Sequence, residues 1–396
     1  MSKMFRCAEE YRLCIFFILL TFLVWIWLEV FMVNILIWGL TESFGGVERY
    51  VTDRMSLLLS KYDQIYFGFS EGIGSDIQWS DFLKNSHIHI CNFPHLSTPY
   101  LYYREIVKFL KVNKIDVVYC NVGFANALLY KAVKAGGSKL VVHAHNTRID
   151  VNSIKKRVAL NIYHYISRAL FDHVIDERYA CSTEAGQWVF SKENFKLKKN
   201  AIDLTAYLYD PAIRAELRKQ LNIKPDTIVI GHVGRFSYQK NHEYLIRLFS
   251  YFVQKQPDSM LMLIGTGDNF NKIQRLAENM NLTSKVLFLG LRNDVNKLMQ
   301  AMDCFVLPSR FEGLSIVGIE AQAASLPCFF ADTITKEIAV TSNAHFFSIK
   351  ENAENVATCI YTYMTKHAGA RRRNRDELIK AGYDLQEELR QEKINV

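Results

Sequence analysis

Two glutamates that flank a glycine are the residues of this chain best suited to binding hydroxyl groups. Glu312 and Glu320 stand eight positions apart within the stretch 308–322. Eight residues span roughly 12 Å in a helix, and more if the first step is extended, which is enough to straddle a diphosphate. Carboxylates accept hydrogen bonds from sugar and ribose hydroxyls but repel phosphates. The pair therefore suits a ligand with a sugar at one end, a ribose at the other and a diphosphate between them.

The elements around these glutamates predict an anion site. The apolar run 304–307 is typical of a buried strand, residues 308–313 of a loop, and residues 314–324 of a helix. The first backbone N–H groups of a helix lack intrahelical partners and carry partial positive charge. Residues 313–315 are therefore predicted to bind a phosphate.

Two cations, Arg235 and Lys240, follow a second predicted strand and precede a helix predicted over 243–252. Both can reach phosphate oxygens through charge-assisted hydrogen bonds worth roughly 1.5 to 3 kcal/mol each. Fixed cations stabilise a departing phosphate more in the transition state than in the ground state. The alternative is a pair of ordinary surface cations at a helix start.

Composition and periodicity indicate an α/β protein. The 396 residues, 49% hydrophobic and 22% charged, are ordinary for a globular chain of about two domains. Short apolar runs alternate with helical patterns, which predicts βαβ units and parallel sheets in two similar halves. The predicted strands of the first half are 33–40, 64–68, 87–91, 116–120, 139–143 and 179–181, and those of the second half are 227–231, 260–264, 285–289, 304–307 and 328–330. The join is expected at Asn200–Asp203 and the amphipathic stretch 211–224.

Charge and cysteine content add weaker constraints. The net charge of +8 is modest, and the basic cluster formed by 371–373 with Arg375 is interpreted as a solvated face, with anionic lipid as the alternative. Eight cysteines without a C-x-x-C pair favour a reducing compartment, and hence the cytoplasm.

The N-terminus permits several interpretations. The uncharged run Cys14–Leu28 resembles a membrane anchor, but a span needs about 20 apolar residues and Glu29 interrupts the pattern before a strand predicted over 33–40. Basic residues before the run would place the remainder of the chain outside the cytosol. We expect residues 1–31 to be an upstream extension ahead of Met32, with a signal anchor, a membrane-associated segment or a cleaved signal peptide as alternatives.

Five sequence blocks follow one another in the second half of the chain: Asn200–Asp203, Gly234–Asn241, Leu263–Gly267, Phe288–Gly290 and Pro308–Pro327. Three more lie in the first half: Gly45–Arg49, Val142–Asn146 and Ala180–Ala185. In this order, the blocks of the second half resemble the donor-binding half of retaining glycosyltransferases of family 4, of the bacterial exopolysaccharide and capsule type. The resemblance is specific over about 200–341 and weaker upstream, and it covers nearly everything after Met32.

The resemblance implies the GT-B fold, an α/β arrangement of two Rossmann-like domains facing across a cleft. Residues 32–203 would form the acceptor-binding domain and 204–377 the nucleotide-sugar donor-binding domain. Residues 378–396 would form a C-terminal helix that packs back toward the first domain, and residues 1–31 the extension.

The resemblance also implies roles for the residues introduced above. Arg235 and Lys240 would hold the donor diphosphate, Glu312 the hydroxyls of the transferred sugar, and Glu320 the ribose hydroxyls. Backbone groups at the start of the helix would contact sugar and phosphate; they belong to Gly313, Leu314 and Ser315.

Further positions follow from the same resemblance. Leu291 and Arg292 would cradle the base, largely through backbone groups. Gly45 and Gly46 would let the first loop approach the diphosphate and the acceptor, which side chains would obstruct. Ser325 replaces a common glycine and would strain its turn if the position requires positive φ. Ala201 also replaces a glycine.

A histidine near the donor sugar is the least certain position. His145, at the end of a predicted strand, matches the family's histidine better than His143 does. Some members carry the histidine after the preceding strand, where this chain has Asn121. A buried histidine with a purely structural role is the alternative at each position.

The expected activity is transfer of a hexose from a nucleotide-diphosphate sugar to a hydroxyl, with retained anomeric configuration. A UDP-sugar is preferred over a GDP-sugar, and neither a metal nor another cofactor is expected, since no Asp-x-Asp motif appears. The expected acceptor is a lipid-linked saccharide at the inner membrane surface, and no nucleic acid is expected as a partner. Alternatives are a catalytically silent GT-B partner protein, a nucleotide-sugar epimerase and an integral membrane protein.

Overall fold

A computed structural model describes residues 33–41, 45–69, 84–149, 151, 153–367, 371 and 374–394. The expectations for residues 1–31 lie outside these ranges. Within the described part, no helix combines the length and apolar character needed to cross a membrane.

The first half is a parallel sheet with helices on its faces. Among the described residues it has seven strands in the order β3-β2-β1-β4-β5-β6-β7. The strands are β1 (Asn34–Trp38), β2 (Gln64–Phe69), β3 (Ile88–Asn92), β4 (Val117–Val122), β5 (Lys139–Ala144), β6 (Glu177–Ala180) and β7 (Lys196–Leu197). The helices are α1 (Gly46–Thr52), α2 (Met55–Lys61), α3 (Pro99–Val112), α4 (Ala127–Gly136), α5 (Ile154–Phe171) and α6 (Thr183–Val189).

The second half repeats this plan with six described strands in the order β10-β9-β8-β11-β12-β13. They are β8 (Ile228–Val233), β9 (Ser259–Ile264), β10 (Val286–Phe288), β11 (Cys304–Leu307), β12 (Cys328–Ala331) and β13 (Ala344–Phe347). The helices are α7 (Pro211–Gln220), α8 (His242–Lys255), α9 (Phe270–Asn279), α10 (Val295–Ala301), α11 (Ile316–Ala323), α12 (Ala353–Lys366), α13 (Arg375–Lys380) and α14 (Leu385–Ile394).

The order of the strands fixes where ligands can bind. Strand order reverses between β1 and β4 in the first sheet and between β8 and β11 in the second, and open parallel sheets bind ligands at the carboxyl ends of their strands beside such a point. Central strands such as β11 are buried on both faces, which explains their continuous apolar sequence. The strand predictions locate most of the two sheets, but they miss β7 and β13.

The C-terminal segment returns to the first half. Ile202 N donates to Tyr383 O and Leu385 N donates to Ile202 O, both at 3.0 Å, so the two chain crossings between the halves are joined. On α14, Glu388 forms an ion pair with the buried guanidinium of Arg54. Tyr383, Leu385 and Glu388 therefore contact the first half of the chain.

Arg371 corrects the interpretation of the basic cluster as a solvated face. Its guanidinium lies over the ring of Tyr209, 4.2 Å from the centroid, and donates to the carbonyl oxygens of Gln300 (2.9 Å) and Ala324 (3.1 Å). Burial lowers the pKa of Arg371 to about 10. This side chain satisfies carbonyl groups at the ends of α10 and α11, which helices leave without intrahelical partners.

Ser325, in the turn after α11, has a φ of +59° and is buried. The serine was expected to strain this turn if its φ were positive, and the observed φ meets that condition.

Candidate active site

Loops that follow β8, β9 and β10 meet at the carboxyl edge of the second sheet. Gly265 N donates to Gly290 O at 2.8 Å. Gly265 has a φ of +132°, and a Cβ there would lie 2.3 Å from the carbonyl oxygen of Gly234. Only glycine permits this approach, which brings the loop carrying Arg235 close to the loop carrying residues 291–292.

The predicted residues on these two loops are exposed. Arg235 is exposed, and its Cγ would lie 3.0 Å from a Cβ added at Gly267. Leu291 is 45% exposed. The Arg292 guanidinium donates to both carboxylate oxygens of Asp294, at 2.8 and 2.7 Å. The Arg292 side chain therefore pairs with its neighbour, and any contact with a base would fall to the backbone of 291–292.

Lys240 and Glu312, predicted separately from two segments, form an ion pair. Lys240 Nζ lies 2.6 Å from Glu312 Oε1, and both side chains are mostly buried. Gln239 Nε2 donates to Glu312 Oε2 at 3.2 Å and to the carbonyl oxygen of Phe311 at 3.0 Å. Both oxygens of the carboxylate therefore have a donor, and its position is fixed.

Gly313 packs against the backbone of His145 across the cleft. A Cβ at Gly313 would lie 2.2 Å from the His145 carbonyl oxygen and 2.8 Å from its carbonyl carbon. Thr147 Oγ1 also donates to the Glu312 carbonyl oxygen at 3.1 Å. The two halves therefore meet at the loop where anion binding is predicted.

The loop continues into α11, which begins at Ile316 with Ser315 as its N-cap rather than at the predicted Leu314. Asn200, buried in the join between the halves, donates from Nδ2 to the Leu314 carbonyl oxygen at 3.3 Å. The N–H groups of the first turn of α11 lack intrahelical acceptors. Residues 313–315 thus form an ordered helix start beside Glu312.

His145 and Asn121 are the two alternatives that the sequence leaves for the position near the donor sugar, and their side chains are hydrogen-bonded to each other. His145 Nε2 lies 2.9 Å from Asn121 Oδ1, and Asn121 Nδ2 donates to the Trp38 carbonyl oxygen at 3.2 Å. Burial, with a contribution from the charge of Arg54, lowers the pKa of His145 to about 3. Its imidazole is therefore neutral at physiological pH.

His143 lies behind His145 and is fully buried, with ring centroids 4.0 Å apart. Its Nδ1 lies 3.0 Å from the hydroxyl of Tyr119. Burial, together with the nearby His145, lowers the pKa of His143 well below its ordinary value. These contacts favour a supporting role for His143 in the packing of β5.

Glu320 lies on α11 and is 7% exposed. Its Oε1 accepts a hydrogen bond from the hydroxyl of Tyr207. Burial raises the pKa of Glu320, whereas the bond from Tyr207 and the charge of Arg49 on α1 oppose that rise. Arg49 also pairs with Asp53 at 2.9 Å. Glu320 therefore lies at the contact between α11 and α1, apart from the Lys240–Glu312 pair.

Glu48 on α1 accepts hydrogen bonds from two residues that precede the helix. Gly45 N donates to Glu48 Oε2 at 2.9 Å, and Thr41 N donates to Oε1 at 2.7 Å. A Cβ at Gly46 would lie 3.5 Å from Ile316 Cδ1, so the start of α1 faces the start of α11. The predicted glycines therefore lie opposite the predicted anion site.

Sequence reasoning did not identify the side chains that support these positions. The spacing of Glu48, three residues after Gly45, is the spacing of a capping box and could have suggested its contact with the loop. The other supports come from positions remote in sequence and carry no such local signal; they are Thr147, Asn200 and Tyr207.

Comparison with known proteins finds similarity to glycosyltransferases. Residues 213–384 match the family model of the glycosyl transferases group 1. EpsF of Bacillus subtilis, which is named as a glycosyltransferase, is 29% identical over 306 residues, 74% of this chain and 78% of EpsF. The Escherichia coli UDP-Gal:alpha-D-GlcNAc-diphosphoundecaprenol alpha-1,3-galactosyltransferase is 28% identical over 259 residues, 63% of this chain and 66% of that protein.

Solved structures show the same two-domain architecture. Anabaena HepE in complex with UDP-glucose superposes with a TM-score of 0.73 at 21% identity, over 92% of this chain and 100% of HepE. The lipopolysaccharide glycosyltransferase WaaG gives a TM-score of 0.63 at 18% identity, over 84% of this chain and 90% of WaaG. The chain thus has the predicted GT-B fold of two Rossmann-like domains, and its residues 213–384 match the family model of the glycosyl transferases group 1.

Proposed function

We propose that this protein is a retaining glycosyltransferase of family 4 that transfers a hexose from a UDP-sugar to a hydroxyl of a lipid-linked saccharide during synthesis of a surface polysaccharide. One observation carries the proposal: the Lys240–Glu312 pair lies beside the start of α11 and faces the His145 backbone across the cleft. The E. coli relative named above acts on a diphosphoundecaprenol-linked sugar, and HepE binds UDP-glucose. Both support this choice of acceptor and donor.

The ion pair would take part in donor binding. Lys240 Nζ lies 2.6 Å from Glu312 Oε1 and balances its charge. A donor diphosphate placed at the start of α11 would share Lys240 with Glu312, because an ammonium carries three donors. Glu312 could then accept hydrogen bonds from the sugar hydroxyls. Arg235 and the helix start would complete the positive surroundings of the diphosphate.

The ribose, the base and the diphosphate of the nucleotide sugar would each contact a different part of the site. Glu320, on the other side of the helix start, would accept hydrogen bonds from the ribose hydroxyls in place of the one from Tyr207. The backbone of 291–292 would border the base. The start of α1, at Gly45 and Gly46, would approach the diphosphate from the first domain.

The proposed reaction is a substitution on one face of the sugar. The bond between the anomeric carbon and the UDP oxygen breaks as the bond to the acceptor oxygen forms on the same face. The acceptor proton moves to the departing phosphate, so that no protein side chain needs to act as the base. The neutral His145 would lie beside the reacting carbon through its backbone and ring. Because cations and the helix start supply positive charge, we propose that no divalent ion is required.

A panel of UDP- and GDP-sugars, incubated with the full chain and a bacterial lipid extract, tests this function. We expect one UDP-sugar to yield free UDP and a lipid product of higher mass, with an α-linkage by NMR if the donor is an α-sugar. Rearrangement of the sugar without acceptor would instead identify an epimerase. Absence of both binding and turnover across the panel would identify a catalytically silent protein.

The same assay addresses location. We propose that the protein works at the cytoplasmic face of the membrane, where both substrates are available. Activity retained by a chain that lacks residues 1–31 would contradict the alternative in which an integral membrane segment is the functional part.

A further inference from the structure

Helix α5 of the first domain buries polar side chains and exposes apolar ones. Its His164 and Ser167 are fully buried. His164 Nδ1 accepts from Ala125 N at 3.0 Å, and Ser167 Oγ accepts from Ala127 N at 3.1 Å. These bonds satisfy N–H groups at the start of α4, which a helix leaves without internal partners. The inner face of α5 is therefore used to cap another helix.

The outer face of α5 is an apolar stripe. A surface helix ordinarily turns its apolar face to the core and its polar face to water, and α5 does the reverse. The stripe runs along most of the 18-residue helix, which is about 27 Å long. Its six large side chains are each more than half exposed; they are Ile154, Val158, Ile162, Tyr165, Ile166 and Leu170.

The charge of α5 indicates what could cover this stripe. The helix carries four cations and no carboxylate between residues 154 and 171. Lys155 and Lys156 lie at its exposed N-terminal end. Apolar side chains bordered by lysines match an anionic lipid surface, which takes up the apolar groups and attracts the cations.

A cleft beside α5 connects this face to the candidate active site. The cleft has a volume of about 430 Å³ and is lined by Arg157 and Asn161 of α5, by Trp188, and by Arg310 and Phe311 of the second domain. Phe311 directly precedes Glu312. Three arginines border the cleft in all, since Arg148 also lines it, so it favours an anionic group. One helix thus contributes to both the apolar stripe and a cationic cleft next to the site.

We infer that the stripe on α5 docks the protein onto an anionic phospholipid bilayer and thereby holds the cationic cleft at the lipid surface. This placement would let the phosphate groups of a membrane-borne acceptor enter the cleft while its lipid stays in the bilayer. The inference about the acceptor rests on the proposed function, whereas the docking does not.

Vesicle flotation of the full chain tests the docking. With vesicles of phosphatidylglycerol and phosphatidylcholine, we expect wild-type protein to bind and the double variant Ile162→Glu/Ile166→Glu to have an at least tenfold lower partition coefficient. The matched control is Val112→Glu, an exposed apolar position on α3, which should change binding less than twofold. The variant Lys155→Glu/Lys156→Glu should lose the preference for phosphatidylglycerol over phosphatidylcholine alone.

Three outcomes would overturn the inference. Wild-type protein could fail to bind, or the double variant could bind as wild type does, which would assign binding to residues 1–32 or another surface. Light scattering could also show a wild-type dimer that the double variant loses without any change in vesicle binding, which would assign the stripe to a second copy of the chain. Equal melting temperatures would show that the variants are folded.

Donor binding measured in the same samples separates this inference from the proposed function. The α5 variants should bind UDP-sugars as wild type does, because the substituted side chains are exposed and none of them lines the cleft next to the site. Wild-type protein that binds vesicles but no nucleotide sugar would refute the proposed function and leave the docking intact. Wild-type protein that binds nucleotide sugars but no vesicles would refute the docking and leave the proposed function intact.

Discussion

The two edges that face each other across the cleft belong to similar sheets but carry different chemistry. At the edge of the first sheet, burial keeps His145 neutral and Asn121 holds its ring. At the edge of the second sheet, Lys240 and Glu312 are charged groups paired at 2.6 Å. The first domain thus contributes shape and backbone dipoles at this contact, whereas the second contributes charge. This division suits a ligand whose charged part binds to the second domain before the first closes over its sugar.

We expect the largest effect on activity from a substitution at the contact between the two edges. Gly313→Ala places a Cβ 2.2 Å from the His145 carbonyl oxygen, so the halves must separate. We expect kcat/KM to fall about a thousandfold, roughly 4 kcal/mol, with the melting temperature of each domain little changed. Gly123→Ala is the control, because its nearest neighbour would lie 3.7 Å away. Similar steady-state kinetics for both variants would contradict a closed contact during the reaction.

Removal of charge from the second edge should have the next largest effect. Lys240→Ala removes the cation proposed to stabilise the departing phosphate, so kcat should fall about a hundredfold and donor binding should also weaken. Lys272→Ala, which breaks an exposed pair with Glu243, should leave both unchanged. If kcat stays normal and KM alone rises, Lys240 stabilises the bound donor and the transition state equally, which would contradict its proposed role in turnover.

Glu320 separates binding from turnover within the second domain. Because its proposed partner is the ribose, Glu320→Ala should raise the donor Kd about tenfold, roughly 1.4 kcal/mol, and leave kcat nearly unchanged. Tyr207→Phe removes the hydroxyl but keeps the carboxylate, and should change Kd much less. Isothermal titration calorimetry with UDP measures the Kd of both variants. Equal, small effects of Glu320→Ala and Lys240→Ala would contradict the roles proposed for Glu320 and Lys240.

The neutral imidazole of His145, at the edge of the first sheet, should make the free energy of unfolding depend on pH. The pKa of His145 falls from 6.5 to about 3 on folding, so the unfolded chain binds a proton first. Stability from this group is complete above pH 6.5 and is lost as the pH falls toward 3, by at most about 1.4 kcal/mol per unit. His145→Gln should flatten urea-unfolding free energies between pH 6.5 and 5, whereas His95→Gln, at an exposed site, should not. Identical slopes would show that folding does not lower the pKa of His145.

The smallest expected effect lies in the turn that ends α11. Ser325→Gly relieves a φ of +59° and should stabilise the protein by about 0.5 to 1 kcal/mol, less than the strain because glycine gains freedom when unfolded. The control Ser250→Gly, inside α8, should destabilise by a similar amount. Differential scanning calorimetry detects both; a lower melting temperature for Ser325→Gly would mean that the serine side chain stabilises the turn.

The sequence predicted those parts of the fold that depend on local patterns. Continuous apolar runs such as Cys304–Leu307 located buried strands, because strands covered on both faces need apolar residues at every position. Helix boundaries were less accurate, since Leu314 precedes the true N-cap, Ser315. The two-residue strand β7 was missed because it is too short to show a pattern.

The candidate site was predictable where its residues share a loop and unpredictable where they meet across the fold. Lys240 and Glu312 were each identified, but their ion pair depends on the adjacency of β8 and β11, which no local spacing encodes. The roles of the predicted residues in binding remain predictions. Arg371 shows the opposite error: a run of arginines looks solvated in sequence, but tertiary packing partly buries its first member, which bonds to backbone carbonyl groups.

The pairing of Ile202 with Tyr383 and Leu385 restricts how the cleft can open. The chain passes between the domains twice, and at that point the two passages are hydrogen-bonded side by side. Two independent linkers would let the domains tilt, twist and slide, whereas a joined pair resists sliding and twisting and leaves essentially one rotation. The cleft then opens and closes by one rotation. Each closure therefore returns Gly313 to the same peptide of the first domain.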